Sequence, residues 1–539
     1  MAGHVRALAL GTVLLCVGYV VAAMFIRPSL MPDAAYGLLV HKSMRHGAPW
    51  NHMIEPRAED IAVDHTYFYA IWSPGQYALP GLLIDAGLSV GRSIALVSLV
   101  ASLGGLAAWL LLYRALGFDA LSAIAAAAII ASSRSFNFGF LAYLGSDVLA
   151  FATFPLLATA LVKLRGSRWL PAAAAAAMLV AFAAKNSLPI YVGAWLVAQS
   201  LQVIRSRGVS VATMTAAGAP VAAAAAAMAV IHLGYNARGW TPISYEPVVS
   251  TAAHTYLIPL AMPVLAATSW DDVLSWTFSH PAGPVLNFAY KESIVLLGAV
   301  AVAAVMAAVA AVRRGQQMVW LVAAFSAIVV AAFTVLLATG SGASLDLSRH
   351  YRLVGYLWLP PLVQGTLRSR PATAWLLTAV LVAPCVYGVA SFAANWRRHY
   401  AQRASHSPSL QITHLHATGR VVRALELLDH ALPGGSTLVV GSAAVYALEF
   451  ERTRALATSA VSDSVDRIRA ASHHGTVDNL VLVAELAGMP AEKCQAWLAS
   501  FPSYRAWESV DLDQHRFYVP VGQPVSSSWL QSRFATLTN

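Results

Sequence analysis

Residues 7–33 read "ALALGTVLLCVGYVVAAMFIRPSLMPD": an apolar run, then Arg27 and two prolines, then an acid. An apolar run of about 20 residues is long enough to cross a bilayer as a helix. No small-x-small cleavage site precedes Arg27, so we expect a retained first helix and not a cleaved signal peptide. Asp33 then lies within a few residues of the membrane surface, and a mostly polar stretch follows it up to residue 73.

The whole chain has the composition of a membrane protein. Its 539 residues are 58% hydrophobic and 11% charged, with a mean hydropathy of +0.61, whereas soluble domains carry about 25% charged residues. Three widely separated cysteines indicate neither a disulfide framework nor a metal cluster. Apolar stretches of spanning length predict about eleven transmembrane helices, at 7–26, 92–113, 119–138, 142–162, 169–184, 187–204, 210–231, 293–312, 318–339, 353–366 and 372–393. The Pro- and Gly-interrupted stretch 74–88 predicts an interfacial or re-entrant helix.

Short basic loops join alternate pairs of these segments and carry a single acid, Asp119. Their basic residues are Arg114, Lys163, Arg165, Arg168, Arg205, Arg207, Arg313, Arg314, Arg368 and Arg370. The positive-inside rule assigns such loops to the cytoplasm. We therefore expect a cytoplasmic N-terminus and an extracytoplasmic C-terminus, in a bacterial cytoplasmic membrane. The net charge of +10 is explained by this topology, so it does not indicate nucleic-acid binding.

Two domains are predicted. Residues 1–393 form the transmembrane domain, with long outer loops at 27–73 and 232–292, and residues 394–539 form a small extracytoplasmic α/β domain. In the latter, strands are expected at 436–442, 477–486 and 515–521 and an amphipathic helix at 461–474. This tail carries neither a Gly-rich phosphate loop nor a catalytic-triad pattern.

The order of these features resembles a known family. An acid follows the first helix, a polar outer loop leads to the aromatic-Pro segment "YFYAIWSPGQYALPGLL", and a later helix ends in "LLLYRALGF". Further along come "YLGSDVLAF", "AAKNSLPIYVG" and "SRHYRLVGYLWLPPL". The layout resembles the glycosyltransferase C superfamily, whose members use polyprenyl-phosphate sugars, and within it the aminoarabinose-transferase and protein-O-mannosyltransferase types.

The resemblance implies that Asp33 is the catalytic acid, although the second acid that the family often has next to it is replaced by Ala34. Asp33 could instead cap the helix that follows Pro32. A second outer acid is also implied. Asp64, just before the aromatic-Pro segment, is favoured over Asp60, Glu59 and Glu55, and each of these could equally be a solvated loop charge. His65 next to Asp64 matches no strong metal-site spacing, so no metal site is assigned and the need for a divalent cation stays open.

Cations at other helix ends are candidates to hold the donor phosphate. Arg349, His350 and Arg352 stand in "LSRHYR", and arginine suits bidentate phosphate contact. They could instead be interfacial anchors. Lys185, between two short apolar segments, could meet the phosphate or snorkel to the interface. Arg238 is a further candidate. Asp147 is a candidate site residue of another kind, an acid at the start of a membrane segment, and it could also be a helix cap.

The sequence thus predicts an integral-membrane, inverting glycosyltransferase that moves a sugar from a polyprenyl-phosphate carrier to an extracytoplasmic glycan, lipid or protein. A transporter or lipid flippase is the alternative, and intramembrane polar residues are compatible with it, but we find no internal repeat of the kind many transporters show. A non-catalytic envelope scaffold of the same fold is the third interpretation, and the single acid at Asp33 keeps it open.

Overall fold

The computed structural model describes residues 2–239, 253–277, 293–313, 317–339, 348–415, 417–457, 473–486 and 491–537. These ranges form a long helical bundle followed by a small sheet domain. The helices are α1 (Ala2–Met24), α2 (Pro32–Arg45), α3 (Gly75–Asp85), α4 (Val90–Ala115), α5 (Ala120–Ser132), α6 (Arg134–Asn137), α7 (Ser146–Lys163), α8 (Leu170–Ala184), α9 (Leu188–Arg207), α10 (Val211–Gly234), α11 (Ala253–Ala267), α12 (Trp270–Thr277), α13 (Ser293–Arg313), α14 (Gln317–Ala338), α15 (Arg352–Leu367), α16 (Pro371–Ala401), α17 (Gly419–Ala431), α18 (Ala444–Leu448), α19 (Ala491–Ala499) and α20 (Ser527–Ala535). The strands are β1 (Ser29–Leu30), β2 (His52–Pro56), β3 (Asp64–Phe68), β4 (Ala142–Tyr143), β5 (Thr437–Gly441), β6 (Arg454–Ala457), β7 (Asn479–Glu485), β8 (Trp507–Leu512) and β9 (His515–Pro520).

Each of the eleven predicted apolar segments is helical, as is the interfacial segment, which forms α3. Within the described ranges, seven helices are long and apolar enough to cross a membrane, namely α1, α4, α7, α10, α13, α14 and α16. The stretch from α5 through α6 to Phe140, bent by 62°, raises the number to eight if it is one span. The chain is therefore a multi-pass helical protein, and the count of eleven spans stays a prediction.

The predicted outer loop 232–292 contains two helices that the sequence analysis missed. Helix α11 is buried in the bundle, with Ile258, Ala261 and Met262 almost fully enclosed, and it packs against α13, α14 and α15. It is only 15 residues long and contains Pro259 and Pro263, which are unfavourable inside a helix. Contacts with neighbouring helices override that local penalty. Residues 240–252 and 278–292 of this loop lie outside the described residues.

A five-stranded mixed sheet forms the C-terminal domain, in the order β6-β5-β7-β9-β8. Strand β5 runs parallel to β6 and β7, whereas β9 is antiparallel to β7 and β8. The three predicted strands are β5, β7 and β9, and β6 and β8 were not foreseen. Helices α17 and α20 cover one face of the sheet and α19 the other. Most of the predicted helix 461–474 lies outside the described residues.

The sheet domain is docked onto the polar stretch that follows α1. Ile61 of that stretch is completely buried among apolar residues of the sheet domain. The ammonium of Lys42 on α2 donates to the carbonyl of Ala447 at 2.9 Å and to that of Phe450, next to the C-terminus of α18. Burial lowers the pKa of Lys42 below its ordinary value. Helix α2 is therefore held at its C-terminal end by the sheet domain.

Candidate active site

Two helices that each carry an acid in the first turn begin side by side. Strands β1 and β4 form a two-residue parallel pair, Ser29 with Ala142 and Leu30 with Tyr143. Helix α2 begins two residues after β1, and α7 begins three residues after β4. The pairing therefore brings Asp33, on α2, and Asp147, on α7, to the same end of the bundle. Negative charge is favourable near a helix N-terminus, so both positions suit an acid.

Asp33 does not cap its helix. The N-cap of α2 is Met31, with no side-chain cap hydrogen bond, and Pro32 occupies the first turn. The side chain of Asp33 is 39% exposed, and its Oδ2 lies 3.2 Å from Nη1 of Arg349. The capping interpretation is thus wrong, and the carboxylate has an oxygen facing a cation while part of the group remains open to solvent.

Asp147 is likewise not a cap, because the N-cap position of α7 is Gly145. Gly145 has a φ of +61°, and a Cβ there would lie 2.9 Å from Oε1 of Gln76 and 3.2 Å from Cβ of Ala34. Only glycine combines this left-handed backbone with so close an approach to α2. Gly145 therefore sets the spacing between the two helix starts and, with it, the spacing of the two acids.

Asp33, Arg349, Asp147 and Lys185 form a continuous chain of charges. Nη1 of Arg349 lies 3.6 Å from Oδ2 of Asp147, and Nζ of Lys185 donates to Oδ1 of Asp147. Lys185 is the extended residue that separates α8 from α9, so the predicted polar break is confirmed. Side-chain exposure falls from 39% at Asp33 to 20% at Asp147 and 13% at Lys185. The chain of charges thus runs from solvent into the bundle.

A narrow cleft, partly open to solvent, adjoins these charges. Its charged lining residues are Asp147, Lys185, Arg349 and Arg352, three cations to one acid. The Nε atoms of Arg349 and Arg352 are buried and have no hydrogen-bond partner among the described residues. Buried guanidinium groups with donors to spare are suited to an anion with several oxygens. The cleft is also lined by apolar and aromatic side chains, including Phe136, Phe151 and Leu353.

His350 lies between the two arginines, but its ring does not act as a third cation. The side chain is buried, and burial lowers the pKa of His350 well below its ordinary value of 6.5. Its backbone carbonyl accepts a hydrogen bond from the hydroxyl of Tyr191, which fixes the turn before α15. His350 is absent from the lining of the cleft, so charged phosphate contact by this residue is not supported.

The other predicted acids lie apart from the cleft. Asp64 on β3 is held by the guanidinium of Arg454, with Nε–Oδ2 and Nη2–Oδ1 distances of 3.0 and 2.5 Å. Asp60 accepts from the backbone N–H of Ala62 in a local turn. Glu55 lies on β2 and is buried, and Glu59 is exposed. Asp64 therefore connects the β2–β3 hairpin to the sheet domain, and the structure does not place it beside Asp33.

Arg238 is exposed after α10, and the structure does not bring it to the cleft. The sequence analysis did not single out Asp271, Asp272 and Arg134, and the first of these lies close to Arg352. Asp271 Oδ2 is 3.9 Å from Arg352 Nη2, and Asp272 Oδ1 is 2.7 Å from Arg134 Nη1. The available signal was the adjacent acid pair in "SWDDVLSW".

Among the residues that the structure describes, no group of three or more His, Cys, Asp or Glu side chains is arranged to hold a metal ion.

Comparisons with known proteins find no match in sequence and three solved structures of low identity. No protein-family model matches the chain, and no curated protein matches it in sequence. Among solved structures, ArnT from Cupriavidus metallidurans bound to undecaprenyl phosphate is 13% identical, with a TM-score of 0.45 over 96% of this chain and 98% of that one. ArnT from Cupriavidus metallidurans in the apo state is 12% identical, with a TM-score of 0.42 over 95% and 98% of the two chains. Arabinofuranosyltransferase AftD from Mycobacteria is 12% identical, with a TM-score of 0.43 over 94% of this chain and 40% of that one.

Proposed function

We propose that this protein is an integral-membrane glycosyltransferase that transfers a sugar from a polyprenyl-phosphate carrier to an acceptor hydroxyl outside the cytoplasm. The observation that carries the proposal is the arrangement of one half-exposed acid, Asp33, next to a cleft lined by three cations and one acid. Such an arrangement offers a base at the aqueous side and phosphate donors deeper in the bundle.

The transfer reaction requires a base for the acceptor hydroxyl and hydrogen-bond donors for the departing phosphate. The acceptor hydroxyl gives its proton to Asp33 as its oxygen attacks the anomeric carbon of the sugar. The bond between that carbon and the phosphate oxygen breaks, and the electron pair leaves with polyprenyl phosphate. The anomeric configuration is inverted, because a single displacement occurs from the face opposite the phosphate. Asp33 has a cation on one side and solvent on the other, which leaves a path for the acceptor.

The departing phosphate gains negative charge during the transfer, and fixed donors stabilise such charge. Arg349, Arg352 and Lys185 would supply those donors, since all three line the cleft. Asp147 has a different role, because it contacts both Arg349 and Lys185 and keeps the two cations in the cleft while it is empty. The apolar side chains that line the cleft would contact the first isoprene units of the carrier.

The topology follows from the same assignment. Asp33 has to face the side from which the acceptor arrives, so the end of the bundle that carries the chain of charges and the sheet domain lies outside the cytoplasmic membrane. The short basic loops lie at the opposite, cytoplasmic end, as the positive-inside rule requires. A C-terminal reporter enzyme that works only outside the cytoplasm is expected to be active, and a reporter active only in the cytoplasm would contradict this orientation.

A transfer assay with purified protein tests the function. The protein in detergent is given polyprenyl-phosphate sugars of several kinds and an envelope extract as acceptor, and product formation is compared for wild type and Asp33→Asn. The amide keeps the size of the side chain and removes its basicity, so turnover should fall by ~100-fold, the usual scale for losing a general base. Asp511→Asn, on an edge strand of the sheet domain, is the matched control and should behave like wild type. Near-normal turnover of folded Asp33→Asn would remove Asp33 as the base.

The same preparation separates the transferase from a transporter. A transporter reconstituted in vesicles would move a labelled polyprenyl-phosphate sugar between leaflets whether or not Asp33 is present. Leaflet exchange that persists in Asp33→Asn, combined with no transfer by the wild-type protein, would favour transport over chemistry.

A further inference from the structure

The start of α12 is fixed deep in the helical bundle. Helix α11 ends at Ala267, and Ser269, buried and with a φ of +57°, turns the chain into α12. The indole N–H of Trp270 donates to the carbonyl of Val380, in the middle of α16, at 2.9 Å. The next two residues are the acids Asp271 and Asp272. Charged groups at such depth are costly unless they are paired.

Each of these acids has its own arginine, and the two arginines differ in one respect. Arg352 lines the cleft, whereas Arg134 is absent from its lining. Asp272 meets Arg134 at 2.7 Å, a normal hydrogen-bonded ion pair. Asp271 meets Arg352 at 3.9 Å, which is too long for a hydrogen bond. Only the looser of the two pairs therefore involves a cation that faces the cleft.

The Asp271–Arg352 pair is well shielded from solvent, since the exposed fractions of the side chains are 5% and 21%. A cation so enclosed needs a counter-charge when the cleft is empty, because removing one partner of a buried pair is strongly destabilising. A bound phosphate would satisfy the free Nε of Arg352 and supply the same charge. Asp271 and the phosphate then compete for one guanidinium.

We propose that Asp271 is an internal counter-ion that stabilises Arg352 in the empty cleft and weakens the binding of lipid phosphate, so that the spent carrier can leave. This proposal rests on the proposed function, because it names the ligand of the same cleft. In this proposal Asp271 touches neither the sugar nor the acceptor and acts through Arg352. Its loss should tighten phosphate binding, which is the opposite of what loss of an ordinary positioning residue would do.

The size of the effect follows from charge separation. An acid about 7 Å from a bound phosphate, at an effective dielectric of about 20, repels it enough to change the affinity by at least on the order of tenfold. Asp271→Asn should therefore bind undecaprenyl phosphate on the order of tenfold more tightly than wild type, or tighter still. Turnover should become limited by product release, with kcat and KM for the donor falling together.

Binding of undecaprenyl phosphate to the detergent-purified full chain tests this without any need for the acceptor. Asp272→Asn is the matched control, because it removes the same charge from the next residue and leaves Arg352 its contact with Asp271. Its affinity should rise less than that of Asp271→Asn, since Asp272 is paired with Arg134 and not with the cation that lines the cleft. Asp271→Glu should restore the wild-type affinity. In an Arg352→Gln background, Asp271→Asn should no longer tighten binding.

Thermal unfolding with and without lipid provides a second measurement of the same effect. Asp271→Asn should unfold at a lower temperature than wild type without lipid and gain more from added undecaprenyl phosphate. If the Asn variant does not fold, Asp271→Ser is used with the same criteria. Unchanged or weaker lipid binding in the folded variants, with normal binding by wild type, would overturn this role of Asp271. Absence of lipid binding by wild type itself would overturn the proposed donor, and with it this inference.

Discussion

Replacing Asp147 with asparagine should separate the stability of the charged cluster from its chemistry. The substitution keeps the shape of the side chain and removes the acid that contacts both Lys185 and Arg349. Lys185 is 13% exposed and Asp147 is 20% exposed, so the pair is largely shielded. Breaking such a pair by removing one partner typically costs about 3–5 kcal/mol.

Two features of the structure reduce that cost. The amide oxygen of asparagine can still accept one hydrogen bond from Lys185, and Arg349 keeps its contact with Asp33 at 3.2 Å. We therefore expect a loss of about 2–3 kcal/mol, at or below the lower end of the range for a broken buried pair. Turnover should fall by ~100-fold, because Arg349 and Lys185 would no longer be fixed in the cleft.

The assay is thermal unfolding of the detergent-purified protein alongside sugar transfer, with Asp147→Glu as the matched control. Glutamate retains the charge on a longer side chain, so it should recover most of the stability and only part of the turnover. Wild-type stability and turnover in Asp147→Asn would refute the claim that this acid holds the cations of the cleft.

Three further outcomes are expected. Arg349→Ala and Arg352→Ala should each lower kcat/KM for the donor more than kcat/KM for the acceptor. The expected loss for the donor is about 1.5–3 kcal/mol, the usual value for a charge-assisted contact. Equal effects on both substrates would show that residues 349–352 do not bind the phosphate. Burial lowers the pKa of His350 below its ordinary value of 6.5, so the unfolded state takes up a proton on this ring at a higher pH than the folded state, and the free energy of unfolding should fall as the pH drops below 6.5. His350→Gln should make the free energy of unfolding less dependent on pH in this range. An unchanged pH dependence would contradict the burial of a neutral His350. Asp64→Asn should lower thermal stability through the lost contact with Arg454 and leave turnover near wild type, whereas a folded, inactive variant would restore Asp64 as an assisting acid.

The helices of this chain could be predicted because apolar runs of spanning length are strong local signals. All eleven predicted segments became helices. Helix α11 was missed because its local sequence signal is weak. Its two prolines and short length are unfavourable for an isolated helix, and it is stabilised by contacts with α13 and α15 that exist only in the folded bundle. In the same way, β6 and β8 are short or half-exposed strands, whose pairing depends on neighbours that are distant in sequence.

The candidate site, too, could be predicted from the sequence only in part. The position of Asp33 just beyond the first helix could be predicted, and so could the cations at the helix ends. Its partner could not, since Arg349 follows 316 residues later and the two meet only in the folded bundle. The choice of Asp64 was based on its place before the aromatic-Pro segment, and the register of β3 directs it to Arg454 instead.

The central claim is that the cleft binds a lipid-linked phosphate next to Asp33. Its most direct test is an experimental structure of the protein purified with undecaprenyl phosphate in a lipid nanodisc. The account predicts phosphate density within hydrogen-bond distance of Arg349 and of Arg352 or Lys185, an isoprenoid tail in the apolar part of the cleft, and the Asp33 carboxylate facing the solvent side of the headgroup. A phosphate bound elsewhere on the protein, with this cleft empty in the same reconstruction, would contradict it.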